Sequence, residues 1–424
     1  MQSVFSPYQK FVVALLAFLQ FTIVLDFMIM GPLGALLMPD LGISTEQFGK
    51  VVSAYAFSAG ASGLLAAGFA DRFDRKKLLL FFYTGFVVGT LLCGIANAYW
   101  FLLAARIITG LFGGVIGSIS MAIIADLFPI EVRGRVMGTV QTAFAASQVL
   151  GIPLGVMLSN KWGWHAPFLM IVAISSLVGA LIVTKLQPID AHLKLGRPGD
   201  PFGHLKRTVT QGRYLRTFAA TMLLATGGFM LMPFGSAFSV NNMGVSLSDL
   251  TWVYLVTGIV SFIAGPLLGR LADRVGKYRV FFAGSLVGMA LVWYFCRLGI
   301  TPLWLVMLLN AVLFISITSR IISAQALISA IPDLADRGAF MAVNASMQQL
   351  SGGVAAWAAG LIVVQTANGK LEHYGTLGDV VVVAMLITLV LMYPIHRAVL
   401  RKQHAAAMAP AATTSPAAAP IASE

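Results

Sequence analysis

A single carboxylate lies in the middle of an apolar stretch near the start of the chain. Asp26 is the only charged residue in FTIVLDFMIMGPLG, residues 21–34. An acid at the centre of a membrane helix costs about 2.5–3.5 kcal/mol on insertion scales, so an acid kept there is expected to have a function. A carboxyl group that alternates between protonated and charged forms can exchange a proton for a substrate. Asp26 is therefore the candidate proton-coupling residue, and a merely hydrated cavity acid is the alternative.

Two arginines are the other charges that fall inside apolar stretches. Arg106 and Arg320 must each meet a carboxylate, backbone carbonyls or water. Arg106 could bind substrate or tie helices together, whereas Arg320 could bind an anionic substrate or pair with Gln325 or Gln349. Uncharged polar residues in the same stretches could line a cavity or form hydrogen bonds between helices, and the cavity candidates are Tyr55, Gln148, Asn310 and Gln348.

The composition excludes a soluble protein and argues against an enzyme. Of the 424 residues, 58% are apolar and 10% are charged, and the mean hydropathy is +0.87. Soluble domains carry about a quarter charged residues. The two cysteines and six histidines form no metal-ligand pattern, and the sequence has no phosphate-binding GxxxxGK[ST] loop. No nucleophile–base pair or paired acids lie near the midplane, so we expect no enzyme activity, no metal and no cofactor.

Apolar runs of membrane-spanning length follow one another along nearly the whole chain. About twenty residues cross a bilayer, so the chain has room for twelve such helices. The predicted spans are 11–36, 47–69, 78–97, 99–125, 136–158, 165–186, 216–240, 250–271, 279–297, 302–330, 339–365 and 377–396. They group into an N-terminal bundle (1–186), a cytoplasmic linker that could hold a surface helix (187–215), a C-terminal bundle (216–396) and a disordered cytoplasmic tail (397–424).

The basic residues predict the orientation in the membrane. With a cytoplasmic N-terminus, the outer loops and their edges hold only four of the 28 lysines and arginines, namely Lys50, Lys161, Arg297 and Lys370. Positive residues accumulate on the cytoplasmic side of membrane proteins, so both termini are expected there. The net charge of +12 then faces anionic membrane lipids, and no nucleic-acid partner is needed to explain it.

The two halves of the chain repeat one another. DFMIM at 26–30 matches GFMLM at 228–232, and ADRFDRK at 70–76 matches ADRVGKY at 272–278, both at an offset of 202 residues. A parallel repeat of six-helix halves is typical of one large class of secondary transporters, whose substrate site lies at the midplane between the halves. Gly228 replaces Asp26 in the second copy, so the shared packing pattern does not explain the acid.

These repeats and two further motifs resemble the major facilitator superfamily of transporters. GFADRFDRKK at 68–77 and GRLADRVGKYR at 269–279 are similar to its loop motif after the second span of each half. RIITGLFGG at 106–114 is similar to its fourth-span arginine motif. VLGIPLGVMLSNKWGWHAPF at 149–168 resembles the fifth-span motif of drug/proton antiporters, particularly the sugar, nucleoside or chloramphenicol efflux branch. The resemblance implies an all-α integral membrane fold, with twelve transmembrane helices in two pseudo-symmetric six-helix bundles.

The resemblance also implies roles for individual residues. Arg106 is implied to pair with Asp26 and to influence its protonation. The loop-motif residues are implied to form a conformational latch at the cytoplasmic helix ends, with Asp126 joined through Arg72 or Arg75; the set is Asp71, Arg72, Arg75, Asp126, Asp273 and Arg274. The residues kept from the fifth-span motif are implied to serve helix packing, and they are Gly151, Pro153 and Gly155.

Together these features predict a monomeric, proton-coupled secondary transporter of the bacterial inner membrane that exports a small organic compound by alternating access. The nearest alternative is a proton symporter or facilitator that imports an anionic metabolite through Arg106 and Arg320. A membrane receptor or scaffold that no longer transports is the remote alternative. Opposite proton movements on addition of substrate distinguish export by antiport from import by symport.

Overall fold

The computed structural model describes residues 5–66, 72–190, 193, 207–333 and 336–408, and most of them are helical. The helices of the first half are α1 (Pro7–Leu41), α2 (Thr45–Ala66), α3 (Arg75–Gly94), α4 (Tyr99–Leu127), α5 (Ile130–Ala146), α6 (Ile152–Trp162) and α7 (Ala166–Lys185). The second half contains α8 (Gly212–Leu231), α9 (Gly235–Asn241), α10 (Leu247–Val275), α11 (Lys277–Phe295), α12 (Leu303–Ile328), α13 (Arg337–Ile362) and α14 (Tyr374–Met408). Two short strands, β1 (Val364–Gln365) and β2 (Leu371–Glu372), pair antiparallel before α14.

Ten helical stretches among the described residues are long and apolar enough to cross a membrane. α5 and α6 together form one of these stretches, and α8 and α9 form most of another. The helices α2 and α13, which coincide with two of the predicted spans, are not among the ten because they contain many Gly, Ser and other polar residues. They pack against each other, so their small and polar residues face protein.

Local sequence fixes the ends of α1 and keeps Asp26 near its middle. Ser6 caps the first turn in a capping box with Gln9. The helix ends at Gly42, whose positive φ of 60° lets the last carbonyls accept hydrogen bonds from the cap. The helix runs without a break between these two caps, so Asp26 lies well away from both ends.

The two halves share one apolar core at one face and keep separate cores at the other. The shared core draws buried residues from both halves, among them Leu33 and Phe48 of the first and Phe234 and Phe295 of the second. A second core of buried residues lies wholly within the first half, and a third within the second half. The fully buried core is therefore shared at one face of the molecule and divided between the halves at the opposite face, where Leu64 of the first half still packs against the third core.

The joined face carries the loop at 42–44, and we call it the loop face. There, Thr45 Oγ1 donates a hydrogen bond to the Val363 carbonyl across the halves at 2.6 Å. Gly49 is needed for this close approach, because a Cβ at this position would lie 2.9 Å from the Ala356 carbonyl oxygen and 3.0 Å from Gly360 Cα. Backbone thus meets backbone between α2 and α13 at this face.

The opposite face carries both ends of the described chain, and we call it the terminal face. The backbone N–H of Gln187 donates a hydrogen bond to Tyr8 Oη at 3.0 Å there, which places the end of the first half beside the start of α1. Lys402 Nζ lies 2.9 Å from Asp333 Oδ1 and also donates to the carbonyls of Ile331 and Pro332.

The prediction of a disordered tail from residue 397 is wrong for its first part. α14 continues to Met408, and residues 409–424 lie outside the described residues. The extension HRAVLRKQHAAAM is rich in strong helix formers. It is also anchored by packing, since Val399 is buried in the core of the second half, and by the Lys402–Asp333 ion pair.

Candidate functional site

Asp26 is held in place by an unusually close contact between α1 and the α5–α6 segment. A Cβ on Gly151 would lie 2.7 Å from Leu25 Cδ1, and one on Gly155 would lie 2.6 Å from Ile29 Cδ1. These glycines therefore let the two segments approach on both sides of Asp26. These short distances are the physical reason why a larger residue than glycine would clash at positions 151 and 155.

Pro153 affects the backbone shape of the same α5–α6 segment. Between α5 and α6, residues Ser147–Gly151 form a π-helical turn. Pro153 has no amide hydrogen to donate to the carbonyl four residues earlier, which favours a widened turn just before it. A Cβ on Gly258 of α10 would lie 2.8 Å from the Gln148 carbonyl oxygen, so this turn also contacts the second half.

Asp26 and Arg106 form a fully buried ion pair. Arg106 Nη1 lies 2.8 Å from Asp26 Oδ2, and both side chains are 0% exposed. Thr90 on α3 donates a hydrogen bond from its hydroxyl to Asp26 Oδ1 at 3.2 Å. Each carboxylate oxygen thus has one donor, supplied by two different helices.

Tyr55 on α2 completes the environment of the pair. The guanidinium carbon of Arg106 lies 4.4 Å from the centre of the Tyr55 ring, a cation–π geometry. Arg106 Nε and Nη2 are buried and have no hydrogen-bond partner among the described residues. The Arg106 guanidinium therefore has N–H donors that no described residue accepts.

The site can change its net charge by one proton. With Asp26 ionised the pair is neutral, and with Asp26 protonated it carries the single positive charge of Arg106. A buried charge without its partner is costly, because the interior of the protein solvates it poorly. Protonation of Asp26 therefore changes both the electrostatics and the hydrogen bonding at the centre of the first half.

An aromatic contact joins this site to the second half. Phe27 lies 5.4 Å from Tyr55 and 5.3 Å from Phe229, measured between ring centres. Phe27 and Phe229 occupy equivalent positions of the sequence repeat, so repeat-related rings meet between the halves. The remaining void beside them has a volume of about 10 Å³, which is room for about one water molecule. Its lining consists of Phe27, Met30, Gly31, Val52, Phe229, Met232 and Pro233.

The other predicted cavity residues lie on other segments. Gln148 is half-buried in the π-helical turn, and Gln348 is half-buried on α13. Asn310 on α12 donates from Nδ2 to the Val306 carbonyl of its own helix at 3.1 Å. Arg320, also on α12, is 5% exposed and donates from Nε to Ser285 Oγ at 3.2 Å, so its polar contact is neither of the predicted glutamines.

The predicted latch residues are only partly brought together. Arg75 Nε lies 3.1 Å from Asp126 Oδ2, which selects Arg75 from the two predicted partners. Arg72, Asp273 and Arg274 are exposed. Asp71 lies outside the described residues.

Sequence reasoning missed several residues that matter at the site and at the terminal face. Thr90 gave no signal, because one hydroxyl in an apolar helix is common. Two ties of the second half, Lys402–Asp333 and Tyr214 Oη–Asp336 Oδ2 at 2.8 Å, were also missed. A signal for them existed, since PDLADRG at 332–338 contains two acids, whereas its first-half counterpart PIEVRG at 129–134 contains one.

Comparisons with known proteins agree with the membrane architecture and with the repeat. The sequence profile of the Major Facilitator Superfamily matches residues 16–356 and, in a second match, residues 217–419. The uncharacterized MFS-type transporter YceJ of Bacillus subtilis is 27% identical over 64% of this chain and 69% of its own length. A probable sugar efflux transporter of Helicobacter pylori is 25% identical over 68% of this chain and 73% of its own length.

A shorter match and a solved structure complete the comparison. Multidrug resistance protein 3 of Bacillus subtilis is 34% identical over 37% of this chain and 31% of its own length. A bacterial homolog of the human lysosomal transporter Spinster, in an inward-facing and unoccupied conformation, has the same fold with a TM-score of 0.73. That likeness is at 16% identity and covers 94% of this chain and 98% of that chain. The chain therefore belongs to the major facilitator superfamily, whose members are multi-pass membrane transporters and not enzymes.

Proposed function

We propose that this transporter is proton-coupled and exports a small organic compound by alternating access. The observation that carries the proposal is the buried Asp26–Arg106 pair, because a buried acid in a membrane helix is costly and the repeat-related position holds Gly228 instead. Export is supported by the similarity to proteins named for sugar efflux and multidrug resistance.

In the proposed cycle, substrate and proton compete for one site. A proton that reaches Asp26 from outside neutralises the carboxylate, which then accepts hydrogen bonds from the bound solute more weakly, so the solute is released. Solute that enters from the cytoplasm donates hydrogen bonds to the Asp26 carboxylate and accepts them from the unused donors of Arg106, and it therefore favours loss of the proton. Because each partner displaces the other, inward proton flow drives outward solute flow.

The proposed architecture has twelve spans in two six-helix bundles. α5 with α6 and α8 with α9 each form one span, and α2 and α13 are spans whose less apolar faces pack together. The terminal face is cytoplasmic, the protein is a monomer of the bacterial inner membrane, and its basic loops contact anionic lipids. The joined loop face and the separated terminal face then correspond to an inward-facing state.

The residues around the cavity have distinct proposed roles. Tyr55 positions Arg106, while Gln148, Asn310 and Gln348 offer polar contacts to solute from other helices. Arg75 with Asp126 ties the terminal ends of α3 and α4, and Asp71, Arg72, Asp273 and Arg274 complete a latch in other states of the cycle. Pairs formed by the exposed residues Arg72, Asp273 and Arg274 would contribute on the order of 0–1 kcal/mol each, which suits two states of nearly equal stability.

The experiment that tests the proposal is solute-induced proton release from the purified, detergent-solubilised protein. A panel of sugars, nucleosides and lipophilic drugs is added to the intact chain in weakly buffered solution. We expect at least one solute to release protons from the intact chain and none from Asp26→Asn.

Asp379→Asn is the matched control, because Asp379 is an acid paired with Arg297 at the edge of the membrane. It should release protons like the intact chain. Release that persists in Asp26→Asn would assign the coupling to another group, whereas solute binding with no release from either form would favour the facilitator.

A further inference from the structure

The second half contains a buried arginine without an acidic partner. Arg320 is 5% exposed, and within the described part of the chain it forms no ion pair. Its guanidinium carbon lies 5.7 Å from the centre of the Phe281 ring, on the apolar side of α11. A guanidinium stays charged at any physiological pH, so it cannot avoid the cost of burial by losing a proton.

Hydrogen-bond donors converge around this arginine and are not all used. Arg320 Nε donates to Ser285 Oγ of α11 at 3.2 Å. Arg320 Nη2 and Ser323 Oγ are buried and have no partner among the described residues. Ser323 follows Arg320 by three residues on α12, so both side chains lie on the same side of that helix.

The neighbouring serines do not share this property. Ser316 donates to the Gly284 carbonyl at 2.7 Å, and Ser319 donates to the Ser316 carbonyl at 2.8 Å. Both hydroxyls are satisfied by backbone, and the bond of Ser316 also ties α12 to α11. On this part of α12 the unsatisfied donors are those of Arg320 and Ser323.

The comparison with Arg106 shows what is missing. In the first half, the buried guanidinium is neutralised by Asp26 and contacts an aromatic ring. In the second half, the buried guanidinium of Arg320 also contacts an aromatic ring, and serine hydroxyls lie beside it. No acidic side chain among the described residues pairs with it. A positive charge with converging N–H and O–H donors in an apolar setting is the chemistry of an anion site.

We propose that Arg320, Ser285 and Ser323 form a binding site for one small anionic group between α11 and α12. The group is either a halide ion from solution or a carboxylate carried by the transported solute. The site does not depend on the proposed proton coupling, because neither Asp26 nor Arg106 takes part in it.

The test is the thermal unfolding midpoint of the purified full chain in detergent, with sodium chloride exchanged at constant ionic strength for sodium HEPES, a bulky sulfonate that is neither a halide nor a carboxylate. A ligand that binds only the folded state raises the midpoint in a saturable way. We expect such a rise with chloride for the intact chain, with one chloride bound per chain in equilibrium dialysis. Arg320→Gln should weaken chloride binding by about tenfold to a hundredfold, the range for hydrogen bonds to a charged group. Ser323→Ala should weaken it by about threefold to tenfold.

Arg297→Gln is the control, because Arg297 is an arginine already paired with Asp379. It should keep the chloride effect. Arg320→Gln removes a buried charge, so in HEPES it should unfold no earlier than the intact chain, which separates loss of binding from misfolding. Equal midpoints in chloride and HEPES, or a chloride effect that survives Arg320→Gln, would overturn the site.

Two further measurements separate the sources of the anion and separate this proposal from the transport mechanism. Displacement of bound chloride by acetate or formate would show that the site accepts a carboxylate group, whereas resistance to both would restrict it to halides. Asp26→Asn should keep the chloride effect in full. Absence of solute-induced proton release from the intact chain, with chloride binding retained, would contradict only the proton coupling.

Discussion

At the scale of single residues, the first half contains a fully buried ion pair, Asp26–Arg106. Both side chains are fully buried, and their attraction offsets the cost of removing two charges from water. Thr90 and Tyr55 add a hydrogen bond and a cation–π contact from two further helices. The pair therefore depends on four helices remaining in register.

A double-mutant cycle measures that dependence. Arg106→Gln should destabilise the protein at neutral pH by about 3–5 kcal/mol, because it leaves Asp26 buried without its counter-charge. Asp26→Asn combined with Arg106→Gln should recover most of that loss, since both charges are then absent. The measurement is the free energy of unfolding in detergent for the two single variants and the double variant. Additive losses would contradict a direct pair.

Residue types and spacing carried enough information to find the charged members of the site. Asp26 and Arg106 stand out because charges in apolar stretches are rare, and the arginine motif suggested their pairing. Thr90 and Ser285 could not be found, because a hydroxyl that contacts another helix looks the same in sequence as one that donates to its own helix. Which side chain meets Arg320 depends on the rotation of α11 against α12, which no local pattern specifies.

At the scale of helices, small residues decide which elements approach each other. Gly49 brings the backbone of α2 within contact of α13, and Gly151 and Gly155 bring α5–α6 against α1. The sequence predicted packing roles for the glycines of the fifth-span motif. It gave no means to pair α2 with α13, which lie almost three hundred residues apart in the chain.

Gly49→Leu tests the α2–α13 contact. The added side chain would meet backbone atoms of Ala356 and Gly360, which cannot rotate away, so we expect a destabilisation of about 1–3 kcal/mol. Gly265→Leu is the control, because a Cβ at that glycine has nothing within 4 Å. The unfolding midpoint in detergent should fall for the first variant and stay unchanged for the second. An equal fall in both would mean that added helix bulk, and not the contact, is responsible.

The end of α14 shows where composition misled the sequence reading. The low-complexity segment rich in Ala and Pro extends to the C-terminus and predicted disorder from residue 397. Its first dozen residues are instead helical, because Val399 has a core to pack into and Lys402 has carbonyls and Asp333 to bind. Asp333 and the core around Val399 belong to other segments of the second half, so these contacts exist only once that half is folded.

At the scale of the whole molecule, the distribution of cores defines the conformation. One apolar core joins the halves at the loop face, while each half has its own core at the terminal face. The proposed alternating access requires the reverse arrangement in the other state, with the joined face opened. Under that proposal, the contacts across the loop face break in every cycle.

Cross-linking tests this requirement. Thr45→Cys with Val363→Cys places two thiols where a hydrogen bond now joins α2 to the end of α13. The native Cys93 and Cys296 are both buried, so they should not compete for the new thiols. Oxidation should stop transport by the double variant and reduction should restore it, while Thr45→Cys alone stays active under oxidation. Unchanged transport by the oxidised double variant would mean that the loop face does not open.

The most direct measurement of the central claim is solute accumulation in proteoliposomes under an imposed proton gradient, using the solute that releases protons from the intact chain. The intact chain and Asp379→Asn should both accumulate the solute against its own gradient. Asp26→Asn should still exchange labelled for unlabelled solute across the membrane, but it should accumulate none when the proton gradient is applied. Uphill accumulation by Asp26→Asn at the rate of the intact chain would contradict the assignment of proton coupling to Asp26.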